Sequence, residues 1–344
     1  MAGRSRVTHR NSVRSPSAHG CLSGMPDSSV SLSSLGGMAH LSSMKKTTGK
    51  ILVTGATGFI GRRLTVALVR QGYSVRCMLR RDAPDLPREA EQVRGDMLEP
   101  MTLDAALAGI DTAYYLVHSM TAGRSGFEQR DRTAAENFVE AASRAGVRRV
   151  IYLGGLGETG DELSEHLRSR LEVARILAKG TFATTFLRAA VIIGASGASF
   201  EMVHYLVKRL PVMITPRWVT TRCQPIAVDD VIAYLTGCLE DERTAGKTFD
   251  IGGPEVLTYR EMMERFARIL GKRLYILAVP VLTPKLSSYW VALITPVPPS
   301  VSMPLIEGLK NEVVCRENAI RQILAIPLTT YDKAVARALA ELKS

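Results

Sequence analysis

The stretch that decides the fold is "KILVTGATGFIG", Lys50–Gly61. Ile51, Leu52 and Val53 form a short apolar run closed by Thr54 and Gly55, the pattern of a buried strand. "FIGRRLTVALVRQG" follows, with Leu64 and Leu68 on one face of a helical repeat and Gly72 as its stop. Gly55, Gly58 and Gly61 therefore lie between a strand and a helix, where a glycine pattern is informative. Gly55 permits the tight turn, Gly58 lets backbone approach a pyrophosphate, and Gly61 lets the helix pack close to the strand. The helix N-terminus adds free N–H groups and a dipole that favours phosphate. Thr57, Phe59 and Ile60, in the same loop and first turn, are counted with the glycines as candidate cofactor-binding residues.

The alternation continues outward from this unit. "SVRCMLR" at 74–80, "DTAYYLV" at 111–117, "RRVIYLGG" at 148–155 and "ATTFLRAAVIIG" at 183–194 read as strands. Residues 126–146 and 161–180 read as amphipathic helices ended by Gly146 and Gly180. Strands alternating with helices mean a parallel sheet covered on both faces, and right-handed crossovers make it doubly wound. The expected fold class is thus α/β, a Rossmann doubly wound parallel sheet over residues 49–195. Residues 196–344 are expected to form a smaller C-terminal substrate lobe, mixed in structure and interleaved with the last core elements.

Residues 1–48 are expected to be a disordered extension. They are Ser-rich, hold Asp27 as their sole acid and show no hydrophobic periodicity. The composition fits an organelle transit peptide or a translated upstream region. The second reading is preferred, with Met44 as the natural start and a cytoplasmic protein as the expectation. The net charge of +11 is shared between this basic tail and a large body without a dense basic run, so no nucleic acid is expected as partner. Five scattered cysteines lack metal-ligand spacing, so reduced thiols and no metal site are expected. The apolar segment 274–299 is interrupted by Pro280, Pro284, Pro296, Pro298 and Pro299 and holds Lys285, which argues against a spanning helix. It reads as a buried lobe or an apolar surface, and peripheral membrane contact through it stays open.

The second strand ends in Arg80 and Arg81, where an NAD site usually has an acid for the ribose 2′-hydroxyl. A guanidinium binds a 2′-phosphate through charge-assisted bonds, so NADP(H) is expected ahead of NAD(H). The other reading leaves both arginines in solvent and gives the ribose to Asp82. Asp96, after a short third strand, suits the adenine amino group or a turn, and Met97 is grouped with it. Leu116 and His118 close the fourth strand at its carboxyl end, where open sheets bind ligands.

"TGATGFIG", "RGD" at 94–96 and the Arg of "LRAAVIIG" resemble the extended and atypical short-chain dehydrogenase/reductases, over residues 50 to about 330. "YYLVHSM", "HLRSR", "PRWVTTRCQPIAVDDV" and "GGPEVLTYREM" are similar to a bacterial NAD(P)H-binding branch related to NmrA-like and epimerase/dehydratase-like proteins. The resemblance implies a Ser or Thr after the fifth strand and a Tyr-x-x-x-Lys pair on the next helix. Here the first place reads Gly154-Gly155, and the pair aligns with His166 and Arg170. Three readings follow. His166 is a substituted acid, one turn from an Arg170 that holds ribose or phosphate. Alternatively His118 is the acid. In the third reading the protein binds nucleotide without turnover and senses redox state. A probable small-molecule oxidoreductase is the first expectation, as monomer or homodimer. The sensor and an accessory subunit of a membrane redox complex are the alternatives. Arg217, Trp218 and Arg222 lie where substrate loops lie; the arginines either clamp an anionic substrate or, the preferred reading, pair with Asp229 or Asp230.

Overall fold

The inner strands of the first half carry apolar side chains on both faces, and the chain places them between two helical layers. The computed structural model describes residues 49–118, 126–157, 165–278, 296–298, 302, 306, 308–309 and 311–343, with backbone alone for 165–167, 217–218 and 278. All of them fall in one compact unit, residues 43–344.

The elements alternate as β1 (Lys50–Thr54), α1 (Phe59–Arg70), β2 (Val75–Leu79), β3 (Glu91–Arg94), α2 (Leu103–Leu107), β4 (Ile110–Tyr115), α3 (Phe127–Arg144), β5 (Arg149–Gly155), α4 (Glu165–Leu177) and β6 (Ala183–Ala189). The second half holds β7 (Ile192–Ile193), α5 (Ala198–Arg209), β8 (Val212–Thr215), β9 (Arg222–Cys223), β10 (Ile226–Ala227), α6 (Val228–Glu240), β11 (Thr248–Ile251), β12 (Leu257–Thr258), α7 (Tyr259–Ile269), β13 (Tyr275–Ala278), α8 (Ala319–Ile323) and α9 (Tyr331–Glu341). Seven strands form one parallel sheet in the order β11-β6-β5-β4-β1-β2-β3. This is the doubly wound α/β sheet expected from the glycine unit.

Alternation in β1 sends Ile51 and Val53 to one face, with Leu64, Leu68 and Tyr234. It sends Leu52 to the other, with Tyr115, Ala135 and Phe138. The chain leaves β1 for β2 and β3 on one side, then crosses back to β4 on the other. That reversal opens a crevice at the carboxyl ends of β1 and β4, the place where such sheets bind ligands.

The single strand expected over 183–194 is broken. Both neighbours of β6 end at the register of Ala189, through Gly155↔Ala189 and Ile251↔Ala189. With no partner beyond that point the chain leaves the sheet, and β7 pairs with β10 instead. The region after residue 195 builds its own cluster around Phe200, Tyr259, Met262, Phe266 and Tyr331, and returns once to the main sheet as β11.

The reversal point is held by one buried hydroxyl. Thr54 Oγ1 donates to the Tyr114 carbonyl at 2.9 Å and accepts from the Leu116 N–H at 3.0 Å. Thr54→Val keeps the shape and removes both bonds, leaving the Leu116 N–H without that acceptor. The expected loss is ~1–3 kcal/mol of unfolding free energy, read as a lower urea midpoint at unchanged slope. A midpoint equal to the native one would show that the hydroxyl does not hold β1 to β4.

Candidate functional site

The glycine loop is built by close approach. Gly55 has φ +65°, a left-handed conformation, and a Cβ there would meet the Leu116 carbonyl oxygen at 2.6 Å. A Cβ on Gly61 would run into the Gly55 carbonyl oxygen. The Gly58 N–H donates to that same oxygen at 2.9 Å, and Gly58 opens α1 in an extended conformation. No side chain caps this end and no acid occupies its first turn. The first N–H groups of α1 are left for an anion, and the dipole favours one.

A cleft lies above this loop. Gly55, Thr57 and Gly58 line it, with Met78, Leu79 and Arg80 at the carboxyl end of β2 and Gly95–Leu98 beyond β3. On the β4 side it is lined by Leu116, Val117, His118 and, from α3, Arg130 and Ala134. Of the expected cofactor residues, Gly55, Thr57, Gly58, Arg80, Asp96, Met97, Leu116 and His118 are thus brought together. Phe59 and Ile60 do not line the cleft. The Phe59 ring turns toward Gly194 and Gly197, beneath the Arg63 guanidinium, and Ile60 packs on the core. Gly61 acts through packing, as expected.

The two arginines separate. Arg80 lines the cleft, whereas Arg81 is exposed and does not line it. Asp82 is drawn away into an exposed pair with Arg94 at 3.3 Å. Asp96 Oδ1 accepts the Leu98 N–H at 3.0 Å, shaping the turn, and the residue lines the cleft. Among the described residues neither Arg80 nor Arg130 is held in an ion pair, so both cations are open to an anionic ligand. Sequence reading passed over Arg130, because an exposed arginine on a polar helix face carries no local signal.

The most constrained group in the cleft is His118. Its Nδ1 lies 2.9 Å from Oδ2 of Asp131, and Ser169 Oγ donates to the same oxygen at 3.0 Å. Asp131 and Ser169 are buried. A carboxylate can only accept, so Nδ1 carries the hydrogen toward Asp131. Burial holds the His118 pKa below the ordinary imidazole value; the nearby Arg170 guanidinium adds to this, and the bond to Asp131 opposes both. Asp131 was missed from sequence, although a signal existed. It falls on the stripe Asp131, Ala134, Ala135, Phe138, Ala141 and Ala142, the buried face of α3. A carboxylate on an apolar stripe needs partners.

Arg170 sits behind this pair. It donates to the Leu153 carbonyl at 3.3 Å, and Tyr152 donates to the Arg170 carbonyl at 3.3 Å. The backbone of His166 lies one turn earlier on α4, and its side chain is outside the described residues. Gly154 and Gly155 end β5 without a hydroxyl. The pairing expected around residue 222 is corrected. Arg222 pairs with Glu312 at 3.2 Å, Asp229 with Arg337 at 3.2 Å, and Asp230 accepts from the Thr329 N–H and hydroxyl at 2.7 and 2.9 Å. Asp229 and Asp230 open α6, whose first turn directs them toward the C-terminal segment. The side chains of Arg217 and Trp218 lie outside the described residues.

Comparison with known proteins agrees with the cleft. Residues 55–204 match the family model described as NAD(P)H-binding. The chain is 29% identical over 248 residues to the NADH dehydrogenase [ubiquinone] 1 alpha subcomplex subunit 9, mitochondrial, of Arabidopsis thaliana, covering 66% of this chain and 61% of that protein. It is 27% identical over 251 residues to the chloroplastic divinyl chlorophyllide a 8-vinyl-reductase of Zea mays, covering 67% and 62%. The chain thus spans about three fifths of the length of these relatives. Among solved structures, the Citrobacter sp. triphenylmethane reductase complexed with NADP(H) superposes with a TM-score of 0.69 at 19% identity, over 84% of this chain and 99% of that one. The likeness to that structure shows a shared fold. With its glycine loop and cleft, the chain is similar over residues 55–204 to the NAD(P)H-binding family.

Proposed function

We propose that the protein is an NADP(H)-dependent reductase of a small molecule, with His118 as the proton donor. The observation that carries this is the His118–Asp131 pair at the carboxyl end of β4, in the wall of the nucleotide cleft. The residues present fit a dinucleotide. Gly55 and Gly61 form a cradle that a Cβ would fill, and the uncapped N-terminus of α1 faces the pyrophosphate position. Arg80 suits the 2′-phosphate and Asp96 the adenine. When bound, NADPH supplies the hydride.

The chain's own task is the proton. The Asp131 carboxylate fixes the imidazole through Nδ1–H, so that Nε2 is the nitrogen that gives a proton to the reduced acceptor. The protonated ring is the active form in reduction. Because its pKa lies below the ordinary imidazole value, that form is populated on the acid side and lost as pH rises through the lowered pKa. Reduction therefore slows as pH rises, and the reverse oxidation, which needs the neutral ring, speeds up. The reductase names among the relatives and structural neighbours support this direction of chemistry.

Two predictions test the reading. Arg80→Ala should weaken NADPH binding by about tenfold or more, the size of one charge-assisted bond, and leave NADH close to native. Arg81→Ala should leave both unchanged. Calorimetric titration decides, and equal NADPH and NADH affinities in the native protein would return the choice to NAD(H).

The second uses turnover against a panel of enones, quinones and ketones. His118→Phe should reduce kcat by about 10²-fold at unchanged NADPH affinity, the usual size of an acid–base contribution. Asp131→Asn should move the pH profile to lower pH, because the group that opposes burial is gone. A fully active His118→Phe enzyme would exclude this histidine, and tight NADPH binding with no turnover on any acceptor class would favour a nucleotide sensor.

A further inference from the structure

On the lobe beyond the sheet, β8 and β13 form a separate parallel pair with Tyr275 opposite Val212 and Leu277 opposite Ile214. Alternation turns Met213 and Ile276 into the cluster around Phe200 and Phe266. It turns Val212, Ile214, Tyr275 and Leu277 outward, where they are 50%, 64%, 60% and 58% exposed. Seven large apolar side chains are exposed among the described residues, and four of them share this one face. Scattered exposed apolar residues are ordinary; a contiguous set marks a surface that meets something apolar.

Charge identifies the occupant. Lys208 and Arg209 precede β8, and Lys272 and Arg273 precede β13. Because the strands are parallel, all four cations lie at one end of the apolar face, and all are exposed. Arg209 also stacks on Tyr205. No Asp or Glu occurs between Glu201 and Asp229, or between Glu264 and Glu307, in a chain that has 33 acids in 344 residues. The two stretches that build this face are thus free of acid. A second copy seated on it about a two-fold parallel to the strands would set cations against cations, and no acid on this face would meet the cations in any other two-fold arrangement. An apolar patch rimmed by cations matches an anionic bilayer surface, where apolar side chains enter the headgroup boundary and Lys and Arg meet phosphate. Among the described residues no helix is long and apolar enough to cross a membrane, so such contact is peripheral.

We propose that this β8–β13 face docks the protein on anionic lipid membranes. The proposal is independent of the chemistry assigned to the cleft. The full chain should sediment with phosphatidylcholine vesicles that contain phosphatidylglycerol, should sediment weakly with pure phosphatidylcholine, and should be released by high salt. Ile214→Glu with Leu277→Glu, and separately Lys272→Glu with Arg273→Glu, should each weaken binding by about tenfold or more. Unchanged thermal unfolding and NADPH affinity confirm that these variants fold, and the second pair changes exposed positions only. Three outcomes would overturn the proposal. The native chain fails to bind anionic vesicles, it binds both vesicle types equally, or it sediments as a dimer in solution that Ile214→Glu dissociates.

Discussion

The cleft depends on how closely β1 and β4 approach at their carboxyl ends. Thr54 spans that gap with one hydroxyl, and Gly55 lies against the Leu116 carbonyl where a Cβ has no room. This contact sets Leu116, Val117 and His118 beside the glycine loop. His118 in turn is tied to Asp131 of α3, and Asp131 to Ser169 of α4. A backbone approach at the centre of the sheet is thereby converted into the position of an imidazole, through elements distant in sequence.

Two buried charged groups, one on the sheet and one on α3, show why position decides role. Arg149 is 1% exposed and donates to Thr185 at 3.1 Å and to Thr244. It begins β5, at the end of the sheet away from the cleft, and links β5, β6 and the turn after α6. Asp131 is equally buried but lies at the carboxyl ends of the strands, and one of its partners faces the cleft. Each charge is costly to bury and each needs its partners. Of the two, Asp131 is the one whose partner, His118, lines the crevice that the strand reversal opens.

The sheet was legible because it rests on local signals. Short apolar runs, helices with one apolar face and glycine stops recur through residue 180, and every strand read there appears in the parallel sheet. The glycine loop was legible for the same reason: its demands, a positive φ at Gly55 and no Cβ at Gly61, are met by residue type alone. The end of β6 was not, because Ala190 and Val191 are apolar enough to continue, and only the lengths of β5 and β11 stop them. Nor was the separation of Arg80 from Arg81, which depends on which way adjacent side chains leave the end of a strand. The partners chosen for Asp229 and Asp230 failed for a related reason. Proximity in sequence suggested Arg217 and Arg222, whereas α6 directs both acids to residues 329 and 337 of the C-terminal segment.

The place of α4 changes when His118 and Asp131 are considered together. The resemblance locates a Tyr-x-x-x-Lys pair on this helix, and its positions here read His166 and Arg170. Ser169 faces the Asp131 carboxylate, and Arg170 reaches the Leu153 carbonyl at the end of β5. The Arg170 charge also disfavours a proton on His118. The described side chains of α4 thus act on the site from behind, one by satisfying the buried carboxylate and the other by tuning the imidazole. In the proposed reaction, an acid just beyond β4 with its support on α3 and α4 takes the task that the resemblance assigns to Tyr and Lys on one helix. Under that proposal Gly154 and Gly155 can end β5 without a hydroxyl, because the proton is assigned to the β4 side of the cleft and the end of β5 has only to leave room.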